Sequence, residues 1–208
     1  MNVLRAGDRG WLVECTDHSP AALAAEIAAQ PWAADLQEIV PAAATVLVVV
    51  RDSARSDALR AVLAELLDGT RRAPLTDAGT GRTVVVPVRY DGADLPAVAE
   101  RTGLAVEEIA RMHSDAEHHV AFFGFAPGFA YINGVPEALR IPRLDSPRPR
   151  VPAGALAIAG EQSVVYPGGT PGGWSQLGTA ELELWNPGAT PPNRLRVGDR
   201  IVFRRAGR

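Results

Sequence analysis

Lysine is missing altogether: all 21 basic residues of this 208-residue chain are arginine. A phosphate-binding P-loop needs its lysine, so no ATP site of that kind is encoded. A Schiff-base lysine is excluded for the same reason, and so is a biotinylated one. Cysteine is nearly absent. Cys15 is the single one, so neither an internal disulfide nor a cysteine-based zinc cluster can form within one chain, which fits a reducing cytoplasm. Cys15 lies in the apolar stretch 10–15, where a small buried hydrophobe is its simplest role. Positive charge is not in excess either. A net charge of −3 argues against a general nucleic-acid binder, for which a basic surface is expected. Long apolar runs are lacking: the longest, around Pro41 to Val50, is too short to span a bilayer. Arg5, Asp8 and Arg9 interrupt the N-terminus before any signal-peptide core forms. The expectation is a soluble cytoplasmic protein with no membrane and no nucleic-acid partner.

What is present divides at a polar segment, Thr70 to Gly81, which reads as a linker. The predicted domains are residues 1–80 and 83–208. In the first, residues 10–15 read as a strand after the Gly7-Asp8-Arg9-Gly10 turn. Ser19-Pro20 then starts a helix that Pro31 ends. Leu36 to Val40 and Thr45 to Arg51 read as strands. Asp52-Ser53 offers caps for a second helix, with Leu59, Val62, Leu63, Leu66 and Leu67 on one face. Strand, helix, two strands, helix and a final strand predict an α+β domain of ferredoxin-like, split βαβ type. In the second domain, Thr83 to Tyr90 alternates as a strand, and two short helical patterns cover 95–102 and 106–113. From Val120 onward short strands alternate with Gly and Pro turns. A β-barrel closes such strands without exposed edges.

Glycine and proline concentrate between Phe122 and Trp174 at a density no helix tolerates. Aromatic and β-branched residues keep that run from being a disordered tail, so ordered, tightly turned β-structure is expected. Within it, Phe125, Pro127 and Gly128 belong to a turn that offers either an apolar pocket wall or a core-packed bend. Arg140, Arg143, Arg148 and Arg150 share a proline-stiffened loop. Their donor forks suit carboxylate or phosphate, or pairing with Glu137 and Asp145. Gln162, Ser163 and Tyr166 place polar groups near the next turn, where Glu161 is either a general base or an exposed carboxylate. Thr170 to Trp174 is another rigid turn, its Trp either covering a pocket or filling the core. His113 sits at a helix C-terminus, where the dipole favours it. Its spacing to His118 and His119 is not an established metal-ligand pattern, so no metal site is expected.

From about Val86 to Phe203 the sequence resembles the allophanate hydrolase subunit 1 family. The resemblance rests on His113-Ser114, GFAPGFAY (124–131), PR (142–143), SPR (146–148), VPAG (151–154), IAG (158–160), Gln162, YP (166–167), TPGGW (170–174) and GDRI (198–201). The family includes the B component of bacterial ATP-dependent 5-oxoprolinase and the kinase inhibitor KipI, and is similar to part of the carboxyltransferase region of urea carboxylase. There are two departures: the segment Tyr90-Asp91-Gly92-Ala93-Asp94 looks shortened, and a glycine-rich turn is changed. Where the family usually has Gly-Gly-Gln-Thr-Gly, this chain has Gly160-Glu161-Gln162-Ser163-Val164, and an altered turn is expected there.

The resemblance implies an α+β domain followed by a mainly-β, cyclophilin-like barrel. It implies a subunit of a hydrolase that opens the cyclic amide 5-oxo-L-proline to L-glutamate with ATP and water. The complex would use ATP, with no cofactor bound by this chain. Its implied partners are two. One is a second polypeptide of the allophanate hydrolase subunit 2 type, the C component of 5-oxoprolinase. The other is the A component of that enzyme. Phosphorylating the lactam oxygen would activate a poor electrophile, with Arg148 and Arg143 stabilising the developing charge. Phe125, Pro127, Gly128, Gln162, Tyr166 and His113 would bind substrate. The alternatives are an allophanate hydrolase or urea carboxylase carboxyltransferase lobe and a KipI-like inhibitor of a sensor histidine kinase. A peptidyl-prolyl isomerase, suggested by a barrel alone, is weaker, since fold does not imply function.

Overall fold

The computed structural model describes residues 2–16, 18–70 and 81–207. The chain divides into two compact units, residues 1–78 and 79–208. Residues 71–80, most of the segment read as a linker, lie outside the described residues.

The first unit contains β1 (Val3–Ala6), β2 (Gly10–Glu14), α1 (Pro20–Ala28), β3 (Leu36–Pro41), β4 (Thr45–Val50) and α2 (Ser56–Thr70). Ser19 caps α1, its hydroxyl accepting from Ala22 N–H at 3.3 Å. Alternation along β4 turns Val46, Val48 and Val50 inward, where they meet Leu23, Ile27, Leu59 and Leu63 from the two helices.

The ferredoxin-like expectation is overturned. The sheet runs β1-β2-β4-β3, and its first edge strand comes from an N-terminal hairpin. The strand that follows α2 joins the barrel of the second unit instead. Gly7, at φ 71°, turns β1 back onto β2. The four residues of β1 bury no side chain fully, so they carry too little alternation to be read as a strand.

The second unit follows with β5 (Thr83–Arg89), α3 (Leu95–Thr102), α4 (Val106–Asp115), β6 (His118–Phe123), β7 (Ala130–Asn133), β8 (Arg148–Val151), β9 (Ala155–Ala159), β10 (Gln162–Val165), β11 (Thr170–Gly172), β12 (Ser175–Ala180) and β13 (Arg200–Arg205). Seven strands close a barrel in the order β10-β7-β6-β13-β5-β12-β9, while β8 and β11 form a separate two-stranded ribbon. A mainly-β barrel is what the turn-rich sequence leads one to expect for this half of the chain.

Strand β9 shows how sequence divides the core. It reads Ala-Leu-Ala-Ile-Ala and is buried throughout. Leu156 enters the cluster of Val86, Val120, Ile132 and Phe203, and Ile158 the cluster of Leu95, Ile109 and Leu177. The alanines face the other way, onto Phe129, Tyr166 and Trp174. With period-2 alternation, three small side chains on one face leave room for three large rings. Among the described residues no helix is long and apolar enough to cross a membrane.

Candidate functional site

The site is built on that aromatic cluster. Loop 124–129 joins β6 to β7 and is pinned by Gly124 N–H donating to Phe129 C=O (3.2 Å) and Phe129 N–H donating to Ala126 C=O (3.0 Å). Gly128 lies at φ 76° against the Trp185 ring, so close that a Cβ there would fall 2.5 Å from Trp185 Cγ. Only glycine fits. From this loop Phe129 points inward and is 2% exposed, whereas Phe125 points out and is 64% exposed. Phe129 meets Tyr166 edge-on with centroids 5.3 Å apart, and Tyr131 meets Trp174 at 5.8 Å. These are the edge-to-face separations that aromatic quadrupoles favour.

Between these rings and the proline turns lies a cavity of about 260 Å³. That is below the roughly 300–1,000 Å³ of drug-sized pockets, and so suits a small metabolite. Aromatic rings form its walls, Pro147, Pro171, Gly172 and Gly173 its rim, and Arg143 brings the cation. The Arg143 guanidinium sits 5.7 Å from the Trp174 ring centre, within cation–π range. Burial raises the Tyr166 hydroxyl above its ordinary pKa, opposed by a hydrogen bond to the Trp174 backbone and by the positive fields of Arg143 and Arg148. The phenol is therefore neutral at pH 7 and can donate.

Of the residues singled out in the sequence, the structure brings Phe125, Arg143, Tyr166 and Trp174 to this cavity, Trp174 with the turn that precedes it. Pro127 and Gly128 shape the loop without lining it. Arg148 is drawn aside. Its Nη2 donates to Asp94 Oδ1 at 2.5 Å, while Asp94 Oδ2 accepts from Gln176 N–H at 2.7 Å. Arg148 Nη1 is buried with no hydrogen-bond partner. Gln162 donates to Asn133 Oδ1 (3.1 Å), away from the cavity lining. His113 has no exposed surface. One of its ring nitrogens shares a hydrogen bond with Tyr90 Oη and the other with Ser163 Oγ, both 2.8 Å, so direct contact with a substrate is ruled out in this arrangement. Glu161 is exposed in its turn, and Arg140 donates to Val135 C=O. Among the described residues no group of three or more His, Cys, Asp or Glu could hold a metal ion. Sequence reasoning missed Tyr131 and Asp94. Neither stands out in its own segment, and each acquires its role only by tertiary approach.

The family described as carboxyltransferase domain, subdomain C and D, matches residues 1–195. The chain belongs to this family. It is similar to proteins named as the B component of 5-oxoprolinase from Bacillus subtilis (strain 168) and Escherichia coli O157:H7, 44% identical over 125 residues in each case. The match covers 59% of this chain and 52% and 57% of those proteins, so it spans only about half the length of these relatives. It is also similar to the solved structure of TTHA0988, with a TM-score of 0.76 at 39% identity over 96% of this chain and 40% of that one. These findings agree with the motif resemblance to allophanate hydrolase subunit 1.

The departure of this carboxyltransferase-family chain at Gly160–Val164 is absorbed without distortion. Ala159 pairs with Gln162 across a two-residue turn, and of its two residues only Gly160 has positive φ, at 56°. A tight hairpin with glycine first needs left-handed backbone at that position alone. Glu161 sits at the ordinary one, and Val164 is a buried strand residue.

Proposed function

We propose that this chain is the B-type component of an ATP-dependent 5-oxoprolinase, acting in the cytoplasm. The observation that carries this reading is 44% identity over 125 residues to chains named as that component. The cavity's size and its pairing of apolar rings with one guanidinium suit a small, ring-shaped amide acid. In this reading 5-oxo-L-proline lies against Tyr131 and Trp174, with its carboxylate or lactam oxygen toward Arg143. Tyr166 donates a hydrogen bond. When the lactam oxygen is phosphorylated, negative charge grows beside Arg143, and the unmatched donor of Arg148 can turn toward it. Water then adds to the activated carbon, the ring C–N bond breaks with a proton passing to nitrogen, and inorganic phosphate leaves by hydrolysis, giving L-glutamate. In this reading companion polypeptides handle the nucleotide, and this chain, having no lysine, encodes no P-loop.

The partners in this proposal are a second, carboxyltransferase-type polypeptide, which is the C component of 5-oxoprolinase, and a third, its A component. Purifying the native complex and measuring ATP-dependent glutamate release tests the reading. Both companions and 5-oxoproline turnover are expected. A biotin carboxylase companion with urea-dependent activity would replace it with a carboxyltransferase lobe. Tight binding to a histidine-kinase dimerisation domain, without turnover, would replace it with an inhibitor.

A further inference from the structure

Phe125 breaks two local rules at once. Its φ is 67°, and among the described residues it is the one non-glycine residue with positive φ. Ala126 N–H donates to Gly124 C=O across it at 2.7 Å. An i to i+2 hydrogen bond around a positive-φ residue defines the rare, strained form of γ-turn. Glycine, asparagine or aspartate would sit there more easily than a bulky aromatic. The ring does not repay this by burial, being 64% exposed, with one aromatic neighbour, Phe129, at 5.1 Å edge-on. What it does is line the cavity while most of its surface stays open to solvent. The loop beneath is fixed at both ends, by the Gly124–Phe129 hydrogen bond and by Gly128 packed on Trp185, so the strain cannot relax by moving the loop. Strained backbone of this kind persists where surrounding structure imposes it, and it clusters at ligand clamps.

We propose that Phe125 is a specificity-determining residue, the outer wall that closes over the ring of a small cyclic amide bound in the aromatic cavity. This rests on the 5-oxoprolinase reading. Trp174 and Tyr131 line the same cavity, and in this proposal the space they leave beside Phe125 sets the ring size that fits. A five-membered lactam carboxylate is the expected occupant, and a six-membered one is expected to be disfavoured by its extra methylene.

The test compares wild type with Phe125→Gly and Phe125→Tyr, each assembled with its companion polypeptides. It measures thermal melting of the full chain, and turnover of 5-oxo-L-proline and of its six-membered homologue, 6-oxopiperidine-2-carboxylate. Phe125→Gly releases the turn and is expected to melt ~2–4 °C higher. It is expected to raise KM for 5-oxoproline on the order of tenfold with kcat within about threefold. The preference for the five-membered over the six-membered ring should shrink by roughly tenfold, the scale of discrimination one methylene supports. Phe125→Tyr should keep the wild-type preference. A lower melting temperature for Phe125→Gly makes the ring a structural element and overturns the proposal. So does an unchanged ring preference in an active complex. A wild-type complex inactive on 5-oxoproline overturns the function reading and this proposal together, an outcome distinct from either of those.

Discussion

Arg148 and Asp94, 54 positions apart in sequence, are joined by a charge-assisted hydrogen bond of 2.5 Å. The same carboxylate accepts the Gln176 N–H with its other oxygen. Asp94 thus ties the ribbon strand β8 to the barrel strand β12, and Arg148 is held as much as it is available. Replacing Asp94 with Ala removes both acceptors and leaves a largely buried guanidinium unpaired. Stability should fall by about 1–3 kcal/mol, read as a lower urea midpoint with unchanged m. Asp94→Asn, which keeps an acceptor for Gln176 N–H, should lose less.

A second prediction concerns acid. Burial, and after it the charge of His118, pushes the His113 pKa well below its ordinary value. His118 is lowered as well, mainly by burial. Tyr90, Ser163 and His118 surround the His113 ring and supply no anion to hold a proton there. In the unfolded chain both histidines titrate near 6.5, so below that pH the unfolded state binds more protons than the folded one. Stability is therefore complete above about pH 6.5 and declines as the pH falls through that value toward the folded pKa values. Each group contributes up to about 1.4 kcal/mol per pH unit. Urea midpoints should hold level from pH 8 to about pH 6.5 and fall from there to pH 5, and His113→Gln should flatten that fall even if its midpoint is lower everywhere.

The parts of the molecule legible in sequence are those where one residue type restricts its own backbone. Gly128 and Gly160 mark turns because nothing else occupies positive φ so easily, and the prolines of residues 142–171 mark a stiff rim for the same local reason. The barrel follows from short alternating strands between such turns. Contacts set by tertiary approach are not legible. The resemblance puts Arg148 at the reacting centre, while the arginine pattern alone leaves pairing with an acid open; the acid that holds it lies far away in sequence and carries no local signal. Gln162 faces Asn133 because β10 pairs with β7 in that register. The N-terminal sheet departs from expectation because four residues of β1, with no fully buried side chain, change the strand order without changing the hydrophobic pattern.

Gly172 offers a test of whether the phenol must sit where it does. A Cβ at this position would collide with the Tyr166 hydroxyl, and the backbone cannot retreat because Gly172 is paired with Arg148 in the ribbon. Gly172→Ala should displace the Tyr166 ring and cost about 1–3 kcal/mol, the usual penalty of overpacking. Substrate affinity should fall with it, whereas Gly188→Ala, on an exposed turn, should change neither. Thermal melting and KM for 5-oxoproline in the assembled complex read the two effects.

Arg143 separates chemistry from support. Its guanidinium lies over Trp174, its side chain is exposed, and it is the arginine that lines the cavity. Removing an exposed side chain usually shifts stability by no more than about 0.5 kcal/mol, so Arg143→Ala should melt like wild type. If its charge meets that of the phosphoryl group arriving on the lactam oxygen, turnover should drop by roughly 10²–10³, the effect of losing one preorganised donor. Arg143→Lys keeps the charge but not the planar fork that stacks on the indole, and should recover only part of the rate. Arg148→Ala is expected to behave differently, losing turnover and stability together because Asp94 is left without its partner. Equal melting losses in the two alanine variants would show that Arg143 also supports the fold, and normal turnover in Arg143→Ala would remove it from the reacting centre.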